Sequence, residues 1–183
     1  MILNKEKILD EFLIMQFKKG DAKSLSLFVK RWHSKLIWFS YQVINDREEA
    51  KDIVQENWTI IISGLQTLNE VGSYKSWMFR VIRNKTIDRI RRIQKQKNTL
   101  EEIGKVEGSD TEAVVVEENI NKVTMALNSL PKDLKQVLHL FYIEEQSVIE
   151  IAEILSIPQG TVKSRLFRGR ELMKKSFLKN NIE

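Results

Sequence analysis

The stretch SVIEIAEILSIPQGTVKSRLFRGRELM, residues 147–173, decides how the fold is read. Ser147 is suited to cap a short helix bearing Ile151, Ile154 and Leu155, and Ser156 and Ile157 make a turn after it. Pro158 fits the first turn of a second helix, where its fixed φ is an advantage and its missing N–H costs nothing. This spacing predicts a helix-turn-helix. On the second helix Val162, Leu166, Gly169 and Met173 fall on one side and should pack inward. The other side presents Gly160, Ser164, Phe167 and Arg168, edged by Lys163 and by Thr161 and Arg165. Arg168 suits a guanine edge, Lys163 and Arg165 suit phosphates or base edges, and an outward Phe167 suits thymine methyl groups. A plain helical corner has the same spacing, so it is the basic outer face that favours DNA; the motif alone names no particular system.

The rest of the chain agrees with a helical protein. It has 183 residues, of which only two are Pro and seven Gly, and 42% are hydrophobic with 15 aromatic side chains, enough for a real core. The expected fold class is all-α. Cysteine is absent, which removes disulfides, thiolate metal sites and Cys nucleophiles. No run of about 18 uncharged apolar residues exists, and MILNKEKILDEF lacks the parts of a signal peptide, so no membrane insertion and a cytoplasmic location are expected.

Charge is unevenly placed. The formal net charge is +5, but residues 1–74 balance, residues 75–97 carry +8, residues 98–121 carry −6, and residues 158–183 carry +5. Two basic segments around an acidic one suggest a polyanion touched at two places, with nucleic acid the leading candidate. Each run taken singly reads equally well as a solvated helix face. A basic membrane-surface helix is set aside because neither run has a clean apolar face with Trp anchors.

Upstream, apolar residues Ile8, Leu9, Phe12 and Leu13 predict a first helix capped by Asn4 and stopped at Gly20. Asp21 starts a second, with an inward stripe of Leu25, Phe28, Val29, Trp32, Leu36, Phe39 and Val43. Asp46 and Glu49 read as a capping box before a third helix whose Ala50, Val54, Trp58, Ile61 and Leu65 face inward. A loop at 69–73 leads to a fourth helix from near Ser76 to Lys97. The domains expected are 1–97, an acidic flexible linker at 98–115, and a C-terminal domain at 116–183. That last domain opens with a helix marked by Val116, Ile120, Val123 and Leu127 and a second marked by Leu134, Val137, Leu138 and Phe141.

The segments Asp52-Ile53-Val54-Gln55-Glu56, Trp77 to Asn84 with Asp88 and Arg91-Arg92, and Ile157 to Arg165 occur in the order and spacing of a known family. The chain resembles the extracytoplasmic-function (ECF) group of bacterial RNA polymerase sigma factors from about residue 20 to 175. Met78, Val81-Ile82, Asn57 and Gly169 depart from the usual residues without removing a functional group.

The resemblance implies that Asp52, Gln55 and Glu56 dock on the clamp helices of the largest polymerase subunit; with Thr59 they share one polar helix face. It implies that the fourth helix and the loop before it open the minus-ten element and hold a flipped non-template base, with Asn84 at a position tied to that reading. Arg80, Asn84, Asp88, Arg91 and Lys95 lie on one stripe, flanked by Arg83 and Arg92, and a single strand could run along it. Trp77 is read as core, with base stacking the alternative. The helix-turn-helix is implied to read the minus-thirty-five element on duplex promoter DNA through Lys163, Ser164, Phe167 and Arg168. An anti-sigma factor is implied as a partner, and a monomer when free. No cofactor or metal is expected: His33 and His139 sit in separate apolar helical settings, and Asp52 and Glu56 have no further ligands at metal spacing. The chain is therefore expected to do no chemistry itself. The rival reading is a free-standing helix-turn-helix regulator binding duplex DNA as a dimer, and an enzyme such as a nuclease is the third class.

Overall fold

Gly20 closes the first helix, α1 (Lys5–Lys18), at φ +99°, a left-handed conformation that glycine adopts without a Cβ penalty. The computed structural model describes residues 5–101 and 130–179. Asp21 caps α2 (Ala22–Ile44), accepting the Lys23 N–H at 3.0 Å and the Ser24 hydroxyl at 2.5 Å. Asn45 ends α2 at φ 62°, and Asp46 caps α3 (Arg47–Thr67) by accepting the Glu48 and Glu49 N–H groups at 3.0 and 3.1 Å. Only this half of the predicted capping box forms, because the Glu49 carboxylate turns to Arg89 instead. A 3-10 turn at Val71–Ser73 leads into α4 (Tyr74–Glu101), which starts two residues before the predicted Ser76 and continues through the first residues of the predicted linker. Asn4, the remaining linker and the expected helix from Val116 to Leu127 lie outside the described residues.

The chain divides into two units. In the first, Phe28, Trp32, Leu36 and Phe39 of α2 are buried, as are Ala50, Ile53, Val54, Ile61 and Leu65 of α3 and Tyr74, Met78, Phe79 and Ile82 of α4. Aromatic edges lock the centre: Phe39 lies 4.8 Å from Phe79 between ring centroids, and Trp32 lies 5.6 Å from Tyr74 at 90°.

The first helix forms as expected, but not all of the apolar residues that mark it face the core. Ile8, Leu9 and Phe12 are exposed, and the buried residues are Asp10, Leu13, Ile14 and Phe17. The reason is polar. Asp10 is 1% exposed, and its carboxylate accepts Arg31 Nε–H at 2.7 Å, Trp32 Nε1–H at 3.1 Å and the Tyr74 hydroxyl at 2.9 Å. A buried carboxylate must be compensated by hydrogen bonds and a countercharge, so this one turns the helix toward its three donors. The α2 stripe is likewise adjusted. Leu25, Val29 and Val43 are half-buried, while Ser24, Ser40 and Gln42 are buried. Ser40 and Thr86 join their hydroxyls at 2.8 Å, and Thr86 also donates to the Ile82 carbonyl of its own helix.

The C-terminal helices are α5 (Lys132–Tyr142), α6 (Val148–Leu155) and α7 (Gln159–Lys179). Leu134, Val137 and Leu138 are buried as expected, but Leu140 takes the buried place expected of Phe141. Here the capping box is complete: Glu150 N–H donates to Ser147 Oγ, and Ser147 N–H donates to the Glu150 carboxylate at 2.7 Å. Ser156 turns the chain at φ 50°, and the Pro158 carbonyl accepts the Thr161 and Val162 N–H groups as α7 begins. Val162, Leu166 and Gly169 are buried. A Cβ at Gly169 would stand 2.7 Å from Leu138 Cδ1, so the glycine lets α7 lie close on α5. Among the described residues no helix is long and apolar enough to cross a membrane.

Candidate functional site

Three outward surfaces carry the residues that the sequence singles out. On α3, burial of Ala50, Ile53, Val54, Asn57, Trp58 and Ile61 turns Asp52, Gln55, Glu56 and Thr59 to solvent together. Asn57 faces inward and satisfies its amide locally, donating to the Ile53 carbonyl at 2.7 Å. Ile60 at the margin of this face is 43% exposed, an apolar neighbour that polar counting overlooked. Glu56 Oε2 accepts from Arg89 Nη2 at 2.7 Å, and Arg89 Nη1 stands 3.1 Å from Glu49 Oε2. The Glu56 hydrogen bond is the main reason the Arg89 guanidinium is pushed above its already high ordinary value, followed by the charges of Glu49, Glu56 and Asp52.

On α4, Met78, Phe79, Ile82 and Thr86 turn inward, which leaves Arg80, Asn84, Asp88, Arg91 and Lys95 exposed along one stripe, with Arg92 exposed beside it. Ile87, which interrupts the stripe in sequence, is half-buried. Arg83 stands apart: it is half-buried, and desolvation lowers its guanidinium pKa. Trp77 is half-buried too, so neither sequence reading describes it fully. Its ring lies on Gly64 of α3, where a Cβ would come within 2.2 Å of two ring atoms. Beside that contact is an open crevice of about 550 Å3 between Gly64, Leu68, Glu70, Ser73 and Trp77. Its rim is held by Lys18 Nζ on the Leu68 carbonyl and by the Ser73 hydroxyl on the Glu70 carbonyl at 2.8 Å. Sequence reading missed the crevice; its one signal was an isolated glycine inside the α3 helical pattern.

On α7, Gly160, Lys163, Ser164, Phe167 and Arg168 are exposed, Phe167 at 61%. Thr161 and Arg165 are half-buried, and Arg165 Nε is 3.3 Å from Asp133 Oδ2 on α5. The outward set is thus narrower than the sequence suggested, with Arg165 engaged in the scaffold. The Ser164 hydroxyl donates to the Thr161 carbonyl, which leaves its oxygen able to accept.

The two histidines are packed. His33 Nδ1 accepts the Trp58 indole N–H at 3.0 Å, and His139 Nε2 lies 3.6 Å from the Glu144 carboxylate. Among the described residues no three His, Asp or Glu side chains gather as metal ligands would.

Comparisons with known proteins give the family of the chain. Residues 28–96 match the family described as Sigma-70 region 2, and residues 120–173 match Sigma-70, region 4. The ECF RNA polymerase sigma factor SigW of Bacillus subtilis is 33% identical over 174 residues, 88% of this chain and 93% of the relative. The RNA polymerase sigma-H factor of Pseudomonas aeruginosa is 27% identical over 91% of this chain and 93% of its own length. In fold the chain is similar to the sigma factor RpoE solved with the anti-sigma factor NepR from Bartonella quintana, with a TM-score of 0.60, 19% identity, and coverage of 85% of this chain and 98% of that one. It is also similar to CnrH in complex with the cytosolic domain of CnrY, with a TM-score of 0.54, 20% identity, and coverage of 91% and 96%. With two sigma regions in order and a relative of this identity spanning nearly its whole length, the chain belongs to the ECF RNA polymerase sigma factors, which direct transcription initiation at promoters.

Proposed function

We propose that this sigma factor docks on the clamp helices of core RNA polymerase through Asp52, Gln55 and Glu56 on α3. The α4 stripe takes the melted non-template strand of the minus-ten element: Arg80, Arg91 and Arg92 meet phosphates, Asn84 reads a base, and Asp88 lies among them. Arg83 supports this surface from its edge. The helix-turn-helix reads duplex DNA at the minus-thirty-five element, with Lys163, Ser164, Phe167 and Arg168 reaching outward from α7, Gly160 and Thr161 near the backbone, and Arg165 beside them. The protein does no chemistry itself and works in the cytoplasm, where an anti-sigma protein covers these faces.

The observation that carries this reading is the division of labour between α3 and α4. One helix presents an acidic-amide face and the next a cationic stripe holding an amide. A free-standing dimeric regulator has no use for that pairing. The first experiment is co-purification of the tagged chain with bacterial core RNA polymerase, against a variant with Asp52, Gln55 and Glu56 all replaced by Ala. Stoichiometric polymerase with the wild type and none with the variant is expected; no polymerase with either turns the reading to a free-standing regulator. On promoter DNA, Arg168→Ala should relax preference at one base pair by about 1–3 kcal/mol, whereas Lys163→Ala should weaken all sequences alike if it meets a phosphate. Asn84→Ala should slow promoter opening more than it weakens duplex binding.

A further inference from the structure

Arg89 belongs to the cationic α4, yet its guanidinium is spent on α3. One arm reaches Glu49, whose side chain is 31% exposed and which opens α3 from its first turn; the other reaches Glu56, whose side chain is 61% exposed and stands on the docking face. The two arms hold different carboxylates, so Arg89 ties the more exposed acid to the less exposed one. A planar guanidinium does this because its N–H donors diverge at fixed angles, and an ammonium cannot imitate it. A glutamate left loose on a surface loses rotamer freedom when a partner captures it, which subtracts from affinity.

We propose that Arg89 is a positioning residue for polymerase docking: it pre-sets the Glu56 carboxylate on the face that Glu56 shares with Asp52 and Gln55. This rests on the docking reading above. Arg89 also lowers the repulsion among Glu49, Asp52 and Glu56, so the acidic face keeps its shape with no polymerase cation present.

A double-mutant cycle on the full-length protein tests this. Fluorescently labelled wild type, Arg89→Ala, Glu56→Ala and the double variant are titrated with core polymerase. Arg89→Ala should weaken core binding about two- to fivefold, the range of an exposed ion pair. In the Glu56→Ala background the same substitution should do nothing further, and Arg89→Lys should fall between wild type and Arg89→Ala. Because both single variants lose the same ion pair, the urea midpoints of all four chains are measured alongside, and binding is compared only where each chain is folded. Binding of promoter DNA is followed against salt in parallel and should keep the wild-type slope. An undiminished Arg89→Ala effect without Glu56, tighter core binding by Arg89→Ala, or a salt slope reduced by about one phosphate contact would each overturn the assignment. If Glu56→Ala weakens core binding and Arg89→Ala does not, only the positioning role fails; if Glu56→Ala itself changes nothing, the docking reading fails and takes this role with it.

Discussion

The first unit is organised around buried polar groups, the helix-turn-helix around a dry centre with local caps. Asp10 joins residues 21, 22 and 64 positions away, and Ser40 joins Thr86 across 46 positions. In the second unit Leu134, Val137, Leu138, Ile151, Val162 and Leu166 are the buried core. Its buried polar residues, Glu144 and Gln146, sit in the connection between α5 and α6, where Gln146 bonds the Glu144 carbonyl. The difference teaches that helices can be placed by directional bonds to distant partners or by volume and local capping. The first kind breaks abruptly and the second by degrees.

The sharpest way to break this contrast is Asp10→Leu. It leaves the Trp32 indole and the Tyr74 hydroxyl buried without their acceptor and Arg31 without its countercharge, and should cost about 3–5 kcal/mol. Urea unfolding followed by tryptophan fluorescence measures it cleanly, since all four Trp lie at positions 32, 38, 58 and 77. A cost below about 1 kcal/mol would mean that packing, not the carboxylate, places α1.

In the second unit, Gly169→Ala tests whether the dry centre is filled. The new methyl meets Leu138 Cδ1 at 2.7 Å and Cγ at 3.0 Å. Overpacking of about 1–3 kcal/mol is partly offset by about 1 kcal/mol of helix propensity, so a net loss of up to about 2 kcal/mol is expected in circular-dichroism melts. Shortening Leu138 to Ala in the same chain should make the combined loss smaller than the sum of the two single losses; simple additivity would show slack at this contact.

Ser147→Ala should cost about 1 kcal/mol by removing the acceptor for the Glu150 N–H, and Ser147→Asp should retain most of it. Hydrogen exchange at the start of α6 checks this, and equal protection in all three chains would remove the local cap from the account.

The smallest effect concerns pH at Asp21. The Ser24 hydroxyl, then the Lys23 N–H, hold this exposed carboxyl below its ordinary range. A depressed folded value means the stabilisation is present above the unfolded value of about 3.9 and is lost as pH falls through the folded value. Asp21→Asn keeps a cap without that titration, so its urea midpoint should approach or pass that of the wild type as pH drops toward 2. A constant gap would show that the charge contributes nothing.

These two styles also decide what could be read in advance. The inward side of α7 was readable because every inward position is apolar or Gly and the caps are neighbours in sequence. Counting apolar residues found α1 but not its buried face, because the residue that orients it is an aspartate, with Ile8, Leu9 and Phe12 left outside. The Asp52, Gln55 and Glu56 face was implied by the family resemblance and agreed with helical spacing, but Arg89, 33 positions from Glu56, has no local signal that sets it apart from the other cations of its helix. Arg165 read as a DNA contact for the same reason: its Asp133 partner lies on another helix.

The contact between Gly64 and Trp77 has a consequence for descent. With a ring atom 2.2 Å from where a Cβ would go, no other amino acid fits at position 64 while the indole stays in place. Among descendants of this sequence the two positions are therefore coupled: a side chain at 64 requires a smaller residue at 77 or a displaced indole. A tryptophan lost from 77 returns to its present place only where position 64 is still glycine.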